Sequence, residues 1–440
     1  MALSRSLSTG ASSLRAHQQR FDVISNNIAN VNTTGYKSNH VNFAEQFNQI
    51  YKYGSSPNEN EGKGMGGVNP LMMGLGVKIG SITQNMAQGT IETTNRPLDL
   101  ALQGNGFFIY NMNGKQLFSR AGAISRDKSG NLVDSSSGAF LMGYNLQLDT
   151  DGKMVKDSNG DNVLNRTLKN INISPNIISA PRQTEVVKVS GNLNSASTEN
   201  TERQTSITIF DNQGGAHVIT LSFTKTANPN EFTMSAKLDG IDITLPTDTL
   251  TFNTDGTISS PLDFTLNASD LNTALGTDVF DASTPKNVKI VLAETGNLLA
   301  GLTQFAGPNT ATVTEQDGYQ AGDLNELFVD TTGKIWGSFT NGQSEILAQV
   351  AVAKFTNPQG LIRNGNNFME VSPNSGLPNI GTAGEIFPST LVVGGALEQS
   401  NVDLTEQFTE MIITQRAFEA ASRTITISDQ MLAETNMLKR

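Results

Sequence analysis

The chain of 440 residues contains no cysteine. This absence excludes disulfide bonds, a thiol nucleophile and any metal site built on cysteine. It is consistent with a cytosolic protein, and equally with a protein that leaves the cell unfolded and needs no oxidative folding. Aromatic residues are also scarce, at 6%, whereas glycine is frequent, with 41 residues. This balance favours many short strands joined by turns over a helical bundle.

Long apolar runs and a surplus of positive charge are missing as well. No apolar stretch approaches the roughly 20 residues that a membrane-spanning helix needs, so we predict no membrane insertion. The net charge of −11 argues against a nucleic-acid partner, because phosphate binding needs basic patches. Residues 1–10 carry Ser, Thr and a single Arg where a secretory signal has its apolar core, so we expect no Sec signal peptide. Hydrophobic residues, at 37%, suffice for two or three folded domains.

Residues that could carry chemistry do not form a recognised site. The histidines are His17, His40 and His217. They show no pair at metal-ligand spacing and no nearby acid that would complete an obvious catalytic triad. An acidic segment holds Asp149, Asp151, Asp157, Asn159 and Asp161. Counted from Asp149 as a calcium loop, it has Met154 where that loop requires glycine, so turns explain it better. The glycine-rich residues 62–67 lack the Lys-Ser/Thr of a phosphate loop. We therefore predict no enzymatic activity, no cofactor and no metal.

The first thirty residues show an apolar repeat with the seven-residue spacing of a coiled coil. The first row is Leu7, Leu14, Phe21 and Ile28, and the second row is Leu3, Ile24 and Val31. Gly10 and His17 interrupt the second row. A cluster of helix-ending residues follows, consisting of Asn26, Asn27, Asn30, Asn32 and Gly35. The pattern predicts an amino-terminal helix that ends near residue 30.

The carboxyl end carries a stronger form of the same repeat. Its seven-residue row is Leu397, Leu404, Met411, Phe418, Ile425 and Leu432, and the row is widened by Phe408, Ile412, Met431 and Leu438. Asp403 is the predicted N-cap of this helix, with Glu406 three residues later as in a capping box. No proline or glycine interrupts the pattern from there to Lys439.

Each terminal helix could simply pack on its own domain, but we favour pairing between the two ends or with neighbouring copies. Both helices are terminal, the chain between them has a different periodicity, and an isolated helix is only marginally stable in water. Their charges also differ in sign. Residues 1–37 hold four basic residues against one acidic residue, and residues 397–440 hold seven acidic residues against four basic ones. We expect charge to select the partner and the apolar rows to supply the stability.

The middle of the chain alternates as β-strands do. Phe232, Met234, Ala236 and Leu238 precede the turn Asp239-Gly240, and Ile241, Ile243 and Leu245 follow it. Residues 207–210 and 218–223 flank residues 212–215 in the same way, and further turns are predicted at Asp151-Gly152, Asn159-Gly160, Asp255-Gly256 and Asn341-Gly342. Residues 54–70 are rich in Gly and Asn and predict a flexible excursion.

Three groups of motifs resemble the bacterial flagellar rod and hook protein family. The amino-terminal motif spans Ser25 to Lys37, the central motifs span 96–108 and 118–122, and the carboxyl-terminal motifs span 397–404 and 415–418. The motif residues that carry the resemblance most directly are Asn26, Asn27, Asn30, Gly35, Asn401, Asp403, Gln415 and Arg416. Residues 209–217 and 317–324 resemble segments of the extra outer domain of the hook members, so hook is favoured. A distal rod or other axial protein is the alternative, and a secreted β-rich adhesin is a more distant one.

The resemblance implies a mixed, mainly β fold with discontinuous β-rich domains and terminal helices that form a coiled-coil inner core in a polymer. The implied domains are 1–36 with 395–440 as the inner helical domain, 37–74 as a connector, 75–144 with 318–394 as the middle domain, and 145–317 as an inserted outer domain. Within the connector, residues 51–74 are longer than in the compact enteric-type members. The implied assembly interface consists of apolar residues from both ends of the chain: Leu3, Leu7, Leu14, Phe21, Ile24, Ile28, Leu397, Leu404, Phe408, Met411, Phe418, Ile425 and Leu432.

The resemblance also implies a function. The chain would be a structural subunit that polymerises into a flexible tube, a universal joint that transmits motor torque from rod to filament. Its partners would be further copies of itself, the distal rod protein, the hook cap, the hook–filament junction protein and the flagellar type III export apparatus. The implied location is extracellular, in the hook and basal body of the flagellum.

Overall fold

The computed structural model describes residues 2–57, 66–147, 154–157, 162–281, 286–294 and 298–438, with side chains of the first helix from Arg5 onward. Several sequence predictions lie outside this description. They are the acidic residues Asp149, Asp151, Asn159 and Asp161, the turns Asp151-Gly152 and Asn159-Gly160, and the side chain of Leu3.

The chain forms two compact units. The terminal unit comprises Met1–Pro175, Leu327–Trp336 and Ile346–Arg440, and the inserted unit comprises Asn176–Glu326 and Gly337–Glu345. The segment Lys169–Asn170 pairs with Met142 and Gly143, so the chain after residue 145 first returns to the terminal unit before it enters the inserted unit. The domain limits given by the resemblance stay a prediction.

The elements follow in chain order. The first part of the terminal unit contains α1 (Ala2–Ala29), β1 (Asn39–Glu45), β2 (Asn48–Lys52), β3 (Leu71–Gly74), β4 (Val77–Gln84), β5 (Ile91–Thr93), β6 (Leu100–Gln103), β7 (Phe107–Met112), β8 (Lys115–Ser119), β9 (Ile124–Arg126), β10 (Leu132–Asp134), β11 (Phe140–Asn145) and β12 (Lys169–Asn170). The next part contains β13 (Ile178–Ser179), β14 (Val186–Asn192), β15 (Glu202–Phe210), β16 (Ala216–Lys225), β17 (Glu231–Leu238), β18 (Ile241–Ile243), β19 (Thr249–Phe252), β20 (Ile258–Ser260), β21 (Asp263–Leu266), α2 (Ala268–Leu275), β22 (Val288–Val291), β23 (Leu302–Thr303) and β24 (Thr312–Gln316). The last part contains β25 (Gly322–Val329), β26 (Lys334–Phe339), β27 (Ser344–Lys354), β28 (Ile362–Arg363), β29 (Met369–Glu370), β30 (Asn379–Thr382), β31 (Leu391–Gly394), β32 (Ala396–Glu398) and α3 (Leu404–Met437). Short 3₁₀ turns occur at Leu298–Ala300 and Pro358–Gly360.

The predicted helix limits are confirmed at both ends of the chain. Helix α1 ends at Ala29, where the Asn30 side chain donates to the Asn26 carbonyl at 2.8 Å and competes with continued helix. At the start of α3, the Asp403 carboxylate accepts from the backbone N–H groups of Thr405 and Glu406, which makes it the N-cap. The seven-residue row placed Leu397 together with the helical residues of α3, and this is wrong. Leu397 lies in β32 opposite Glu92 of β5, and the helix begins only after its N-cap Asp403, six residues later.

The core of the terminal unit is an antiparallel sheet with the strand order β27-β11-β7-β8-β29-β28. Strand β27 is buried along most of its length, and its residues Ala351 and Ala353 pack with Phe107, Ile109 and Phe118. Two further pairs, β31 with β6 and β32 with β5, join the segment before α3 to residues near 100. The start of α3 is therefore attached to the β-structure of this unit.

The inserted unit is also β-rich. One sheet has the order β15-β16-β17-β19-β20 and a second has the order β21-β22-β14-β23. The predicted hairpin β17–β18 is confirmed: apolar and polar side chains of β17 alternate between buried and exposed, and Asp239 and Gly240 both have positive φ, at 49° and 87°. The predicted hairpin β15–β16 is confirmed as well. Both sheets contribute to one apolar core.

Residues 39–84, which include most of the predicted connector, form two antiparallel ribbons, β1 with β4 and β2 with β3. Strands β2 and β3 are exposed along their whole length. Residues 54–70 are predicted to be a flexible excursion, but the two ends of this segment are paired, since Ser55 forms a β-bridge with Val68. Residues 58–65 lie outside the described residues.

Candidate assembly site and helix junction

The two terminal helices pair in antiparallel orientation. Near the amino end of α1, the hydroxyl oxygens of Ser6 and Ser428 lie 2.9 Å apart. Near its carboxyl end, the Asn27 amide donates to Oε1 of Gln407 at 3.0 Å. The sequence prediction that the two ends of the chain can serve each other thus has a structural basis within a single chain.

The buried residues of α3 that face α1 are small or polar, rather than large and apolar. Its buried residues recur every seven positions: Gln407, Thr414, Ala421 and Ser428. On α1, Gly10 is buried and approaches Ile425 so closely that a Cβ atom would lie 2.8 Å from Cγ1 of that residue. Glycine and small side chains let two helices pack closely while they bury little apolar area. Sequence analysis missed this row, although its seven-residue spacing was visible.

The predicted apolar rows lie mainly at the edges of this contact or on the exposed surface. Ile24 is buried, whereas Leu7, Leu14, Phe21 and Ile28 are partly exposed. On α3, Met411, Ile425 and Leu432 are partly exposed, and Leu404, Phe408 and Phe418 are exposed. Ile412, Ile413, Ile427 and Met431 add to the exposed apolar surface. Helix α3 therefore carries large apolar side chains that α1 does not cover.

A groove of about 470 Å³ lies along the helix pair. It is lined by His17, Gln18, Phe21, Thr414, Gln415, Phe418 and Glu419. The His17 ring packs at a tilt against Phe43 of β1, with 5.4 Å between ring centroids. Nδ1 of His17 is buried and has no hydrogen-bond partner among the described residues. Burial, followed by the charge of Arg20, lowers the pKa of His17 below its ordinary value.

The motif residues at the end of α1 hold the helix to the connector and to α3. Besides binding Gln407, the Asn27 side chain donates to the carbonyl of Asn39 at 2.8 Å and accepts from its N–H at 2.9 Å. The Tyr36 hydroxyl donates to Oδ1 of Asn26 at 2.9 Å. Gly35 has a φ of 68° and is bonded through its N–H to the carbonyl of Glu398 at 2.7 Å.

The carboxyl-terminal motif repeats this role from the other side. Oδ1 of Asn401 accepts from the N–H of Ser38 at 2.8 Å, and its amide donates to the carbonyls of Asn85 and Ala87. Gln415 and Arg416 differ from the junction residues Asn27, Gly35 and Asn401, because both side chains are exposed. Among the described residues, the ion-pair partner of Arg416 is Glu419 of the same helix, at 3.2 Å. The motif thus contains a junction part and an exposed helical part.

Sequence analysis quoted the junction motifs but missed the buried charges within them. Nζ of Lys37 lies 2.6 Å from Oε1 of Glu398, and Nη1 of Arg120 lies 3.3 Å from Oε2 of the same carboxylate. All three side chains are buried, with 1% exposure for Lys37 and Glu398 and 4% for Arg120. Burial lowers the pKa of both Lys37 and Arg120, and Glu398 opposes this effect. The sequence signal for this group is that each of three separate motifs contributes a charged residue: Lys37, Arg120 and Glu398.

In the inserted unit, two acids lie beside the ring of His217, a contact that the sequence pattern did not indicate. Its ring nitrogens lie 2.8 Å from Oδ2 of Asp239 and 3.3 Å from Oδ2 of Asp211. The hairpin register creates this contact, since His217 is opposite Ile209 and Asp239 follows β17. The group links two turns of one sheet.

Among the residues with described positions, no group of three or more His, Cys, Asp or Glu residues is arranged to hold a metal ion. None of the described helices combines the length and apolar character needed to cross a membrane.

Four family models match successive parts of the chain. "Flagella basal body rod protein" matches residues 7–37, and "Flagellar hook protein FlgE/F/G D1 domain" matches residues 101–192. "Flagellar basal body protein FlaE D2 domain" matches residues 181–319, and "Flagellar basal body rod FlgEFG protein C-terminal" matches residues 393–438. Together with the paired terminal helices, these matches define the class as an axial protein of the bacterial flagellum.

Relatives over the whole chain narrow the class. The flagellar hook protein FlgE of Treponema pallidum is 34% identical and the alignment covers 99% of this chain and 100% of the relative. The flagellar hook protein FlgE of Escherichia coli is 31% identical, with 97% and 98% covered. The crystal structure of Helicobacter pylori flagellar hook protein FlgE2 is similar in fold, with a TM-score of 0.50 and 15% identity, and covers 70% of this chain and 100% of that one.

The chain belongs to the flagellar hook protein family. It is a structural subunit of the flagellar hook, and the predicted family, function and mainly β fold with terminal helices are confirmed. As a member of this family it forms a polymer of itself within the flagellar basal body and is located in the flagellum.

Proposed function

We propose that copies of this chain associate through the large apolar side chains that α3 exposes, so that the terminal helices form the inner wall of the hook tube. The observation that carries this proposal is that α3 has two different sets of side chains, one buried toward α1 and one exposed. Its buried row toward α1 is small and polar, whereas Phe408, Ile412 and Phe418 are about half exposed, at 50%, 58% and 41%. Exposed apolar surface of this kind is typical of a protein–protein interface.

The energetics favour association over exposure to water. Each large apolar side chain that becomes fully buried contributes about 1.5–3 kcal/mol. A row that repeats every seven residues multiplies this gain along the helix. Charge would then orient the partners, as it does within one chain, where Arg20 of α1 lies 3.1 Å from Glu410 of α3. The exposed and partly exposed members of the predicted interface set are the proposed assembly interface, with Leu397 contributing from β32 rather than from a helix, whereas Ile24 is buried within the chain.

A tube built in this way would serve as a universal joint that transmits torque from rod to filament. The helices would provide a permanent inner contact, and contacts between β-rich domains of neighbouring copies would change as the tube bends. The support is that each compact unit has its own apolar core, so each can move as a body without loss of its internal packing.

The proposed domains are 1–36 with 395–440 as the inner helices, 37–74 as connector, 75–144 with 318–394 as the middle domain, and 145–317 as the outer domain. The proposed partners at the ends of the tube are the distal rod protein, the hook cap and the hook–filament junction protein. Export through the flagellar type III apparatus to an extracellular location completes the proposal. These points rest on family membership, and we propose no catalytic role.

The proposal predicts that Phe418→Asp abolishes hook formation without unfolding the subunit. Phe418 is exposed in the single chain, so the charge costs little there, whereas an unpaired carboxylate buried between copies costs several kcal/mol (about 2–7 for an uncompensated polar group). Cells that express only this variant should secrete it in parental amounts and show no hooks by electron microscopy. The purified variant should keep the parental melting temperature.

Gln430→Asp is the matched control, because Gln430 is an exposed polar residue of the same helix. It should give hooks of normal appearance. Normal hooks from Phe418→Asp would show that this residue does not face another copy and would overturn the proposed interface.

A further inference from the structure

The three buried charges at the helix junction come from distant parts of the chain. Lys37 follows α1, Arg120 follows β8, and Glu398 is the last residue of β32, 361 positions after Lys37. One carboxylate thus joins the exit of the first helix, the β-structure of the terminal unit and the approach to the last helix.

The carboxylate of Glu398 accepts hydrogen bonds from Lys37, Gly89 and Arg120, which lie in three other segments of the chain. Its Oε1 accepts from Lys37 Nζ at 2.6 Å and from the N–H of Gly89 at 2.9 Å, and its Oε2 accepts from Arg120 at 3.3 Å. Its backbone carbonyl accepts from the N–H of Gly35 at 2.7 Å.

The two cations depend on this carboxylate. Within the described ranges, no other carboxylate lies within 4.0 Å of Lys37 or Arg120. The remaining acceptors are backbone carbonyls: Ala87 for Lys37, and Leu102 and Gly104 for Arg120. A buried cation that loses its only counter-charge is strongly destabilised, because carbonyl dipoles do not replace a full negative charge.

We infer that Glu398 is a positioning residue, a charge latch that holds α1 in place for pairing with α3. Lys37 can enter the buried junction only when β32 has delivered Glu398 to it. Until then the segment around Lys37 remains in water, and α1 is not held at the register in which Asn27 meets Gln407 and Ser6 meets Ser428. Pairing of the terminal helices is thereby made conditional on the docking of β32 against β5, which places Glu398 in the junction. The latch acts within one chain, so the polymer contacts proposed above could fail without affecting it.

The test measures the pairing of the terminal helices at Ser6 and Ser428, rather than at Glu398 itself. In the full chain, Ser6→Cys with Ser428→Cys places two thiols where the two hydroxyl oxygens lie 2.9 Å apart, and the natural sequence has no cysteine to compete. Oxidative cross-linking between them should be rapid in this background. Adding Glu398→Gln keeps the size of the side chain but removes its charge, and should slow cross-linking roughly a hundredfold, the effect of unpairing a buried ion. Amide exchange at Gly35 and Gly89 should accelerate in parallel.

Two further variants make the outcome specific. Glu385→Gln removes a carboxylate of the same unit that pairs with Lys334 at 3.0 Å in a partly exposed site, and it should leave cross-linking unchanged. Lys37→Met combined with Glu398→Gln removes one stranded cation and should restore much of the lost cross-linking. If Glu398→Gln alone is recovered only unfolded, recovery of folded, cross-linking protein from this double variant supports the latch, and continued unfolding overturns it. Unchanged cross-linking in a folded Glu398→Gln chain overturns it as well.

Discussion

At residue scale, Gly35 illustrates why the amino-terminal motif ends as it does. Its φ of 68° lies in the left-handed region, and a Cβ atom would stand 2.6 Å from the backbone nitrogen of Ala121. The turn therefore requires glycine twice, once for its backbone conformation and once for the close approach to another segment. The motif residues Asn27 and Asn401 act in the same region through hydrogen bonds to backbone groups. Each of these residues serves the junction of helix and sheet.

Gly35→Ala should consequently destabilise the chain far more than an alanine at an unobstructed left-handed glycine. Gly138 is the matched comparison, with a φ of 70° and no atom within 4 Å of its would-be Cβ. Gly138→Ala should reduce the free energy of unfolding by about 1–2 kcal/mol, the cost of the conformation alone. Gly35→Ala should lose about 1–3 kcal/mol more, because its neighbours must also shift. Urea unfolding measures both values, and equal losses would show that the approach to Ala121 relaxes without cost.

At the scale of elements, the helix pair separates two tasks that a single apolar row could not perform together. The buried row on α3, which includes Thr414 and Ala421, packs against α1, and large apolar side chains remain exposed, as the proposed contacts between copies require. Buried polar pairs such as Asn27 with Gln407 favour one register over its alternatives, since a shifted register leaves both amides unsatisfied.

We expect His17 to make this helix pair sensitive to acid. Its pKa is lowered by burial and by Arg20, so the folded chain favours the neutral ring. The contribution of neutral His17 is complete above its ordinary pKa of 6.5 and is lost as the pH falls from there through the lower folded-state pKa. Among the described residues, Arg20 on α1 acts on the ring through its charge and Glu419 on α3 lines the same groove, while Arg20 is itself paired with Glu410.

The melting temperature of the parent should therefore fall more steeply between pH 7 and pH 5 than that of His17→Gln, which has no proton to gain. His40→Gln is the control, because His40 is exposed. It should follow the parental curve. Parallel curves for the parent and His17→Gln would show that the ring titrates without consequence for the fold.

At the scale of the whole molecule, the chain divides its apolar residues between separate cores. The core of the inserted unit is drawn from residues 187–311, and the sheet core of the terminal unit is drawn from residues 107–142 and 351–369. A unit whose core is contributed by one continuous segment should be able to fold alone, because every partner of its buried side chains is present.

Residues 176–326, expressed by themselves, should therefore form a monomeric β-protein with a single cooperative thermal transition. Phe223→Asp, which places a charge in the core, should abolish that transition, whereas Val218→Asp on the exposed part of the same strand should preserve it. Circular dichroism and dispersed amide signals in NMR spectra report the result. A disordered segment would show that its stability depends on the rest of the chain.

The sequence by itself determined the features that follow from local periodicity and turn chemistry. Seven-residue spacing predicted α1 and α3, Asp403 predicted the start of α3, and alternation with Asp239-Gly240 predicted the β17–β18 hairpin. Motif resemblance predicted the family and the mainly β fold, which the matches confirm. These properties depend on residues close together in the chain, so their physical causes can be read from the order of residues alone.

The tertiary structure decided everything that depends on which distant segments meet. Leu397 fits the helical repeat but lies in a strand, because Ile91–Thr93 is available to pair with it. The row of α3 that is buried toward α1 contains Ala421 rather than the large apolar residues. The helices are so close there that a Cβ atom at Gly10 would lie 2.8 Å from Cγ1 of Ile425. The buried Lys37–Glu398–Arg120 group depends on contacts across up to 361 positions, and no local pattern encodes a contact of that range. Periodicity identifies the faces of a helix, and only the three-dimensional contacts decide which face serves the chain itself.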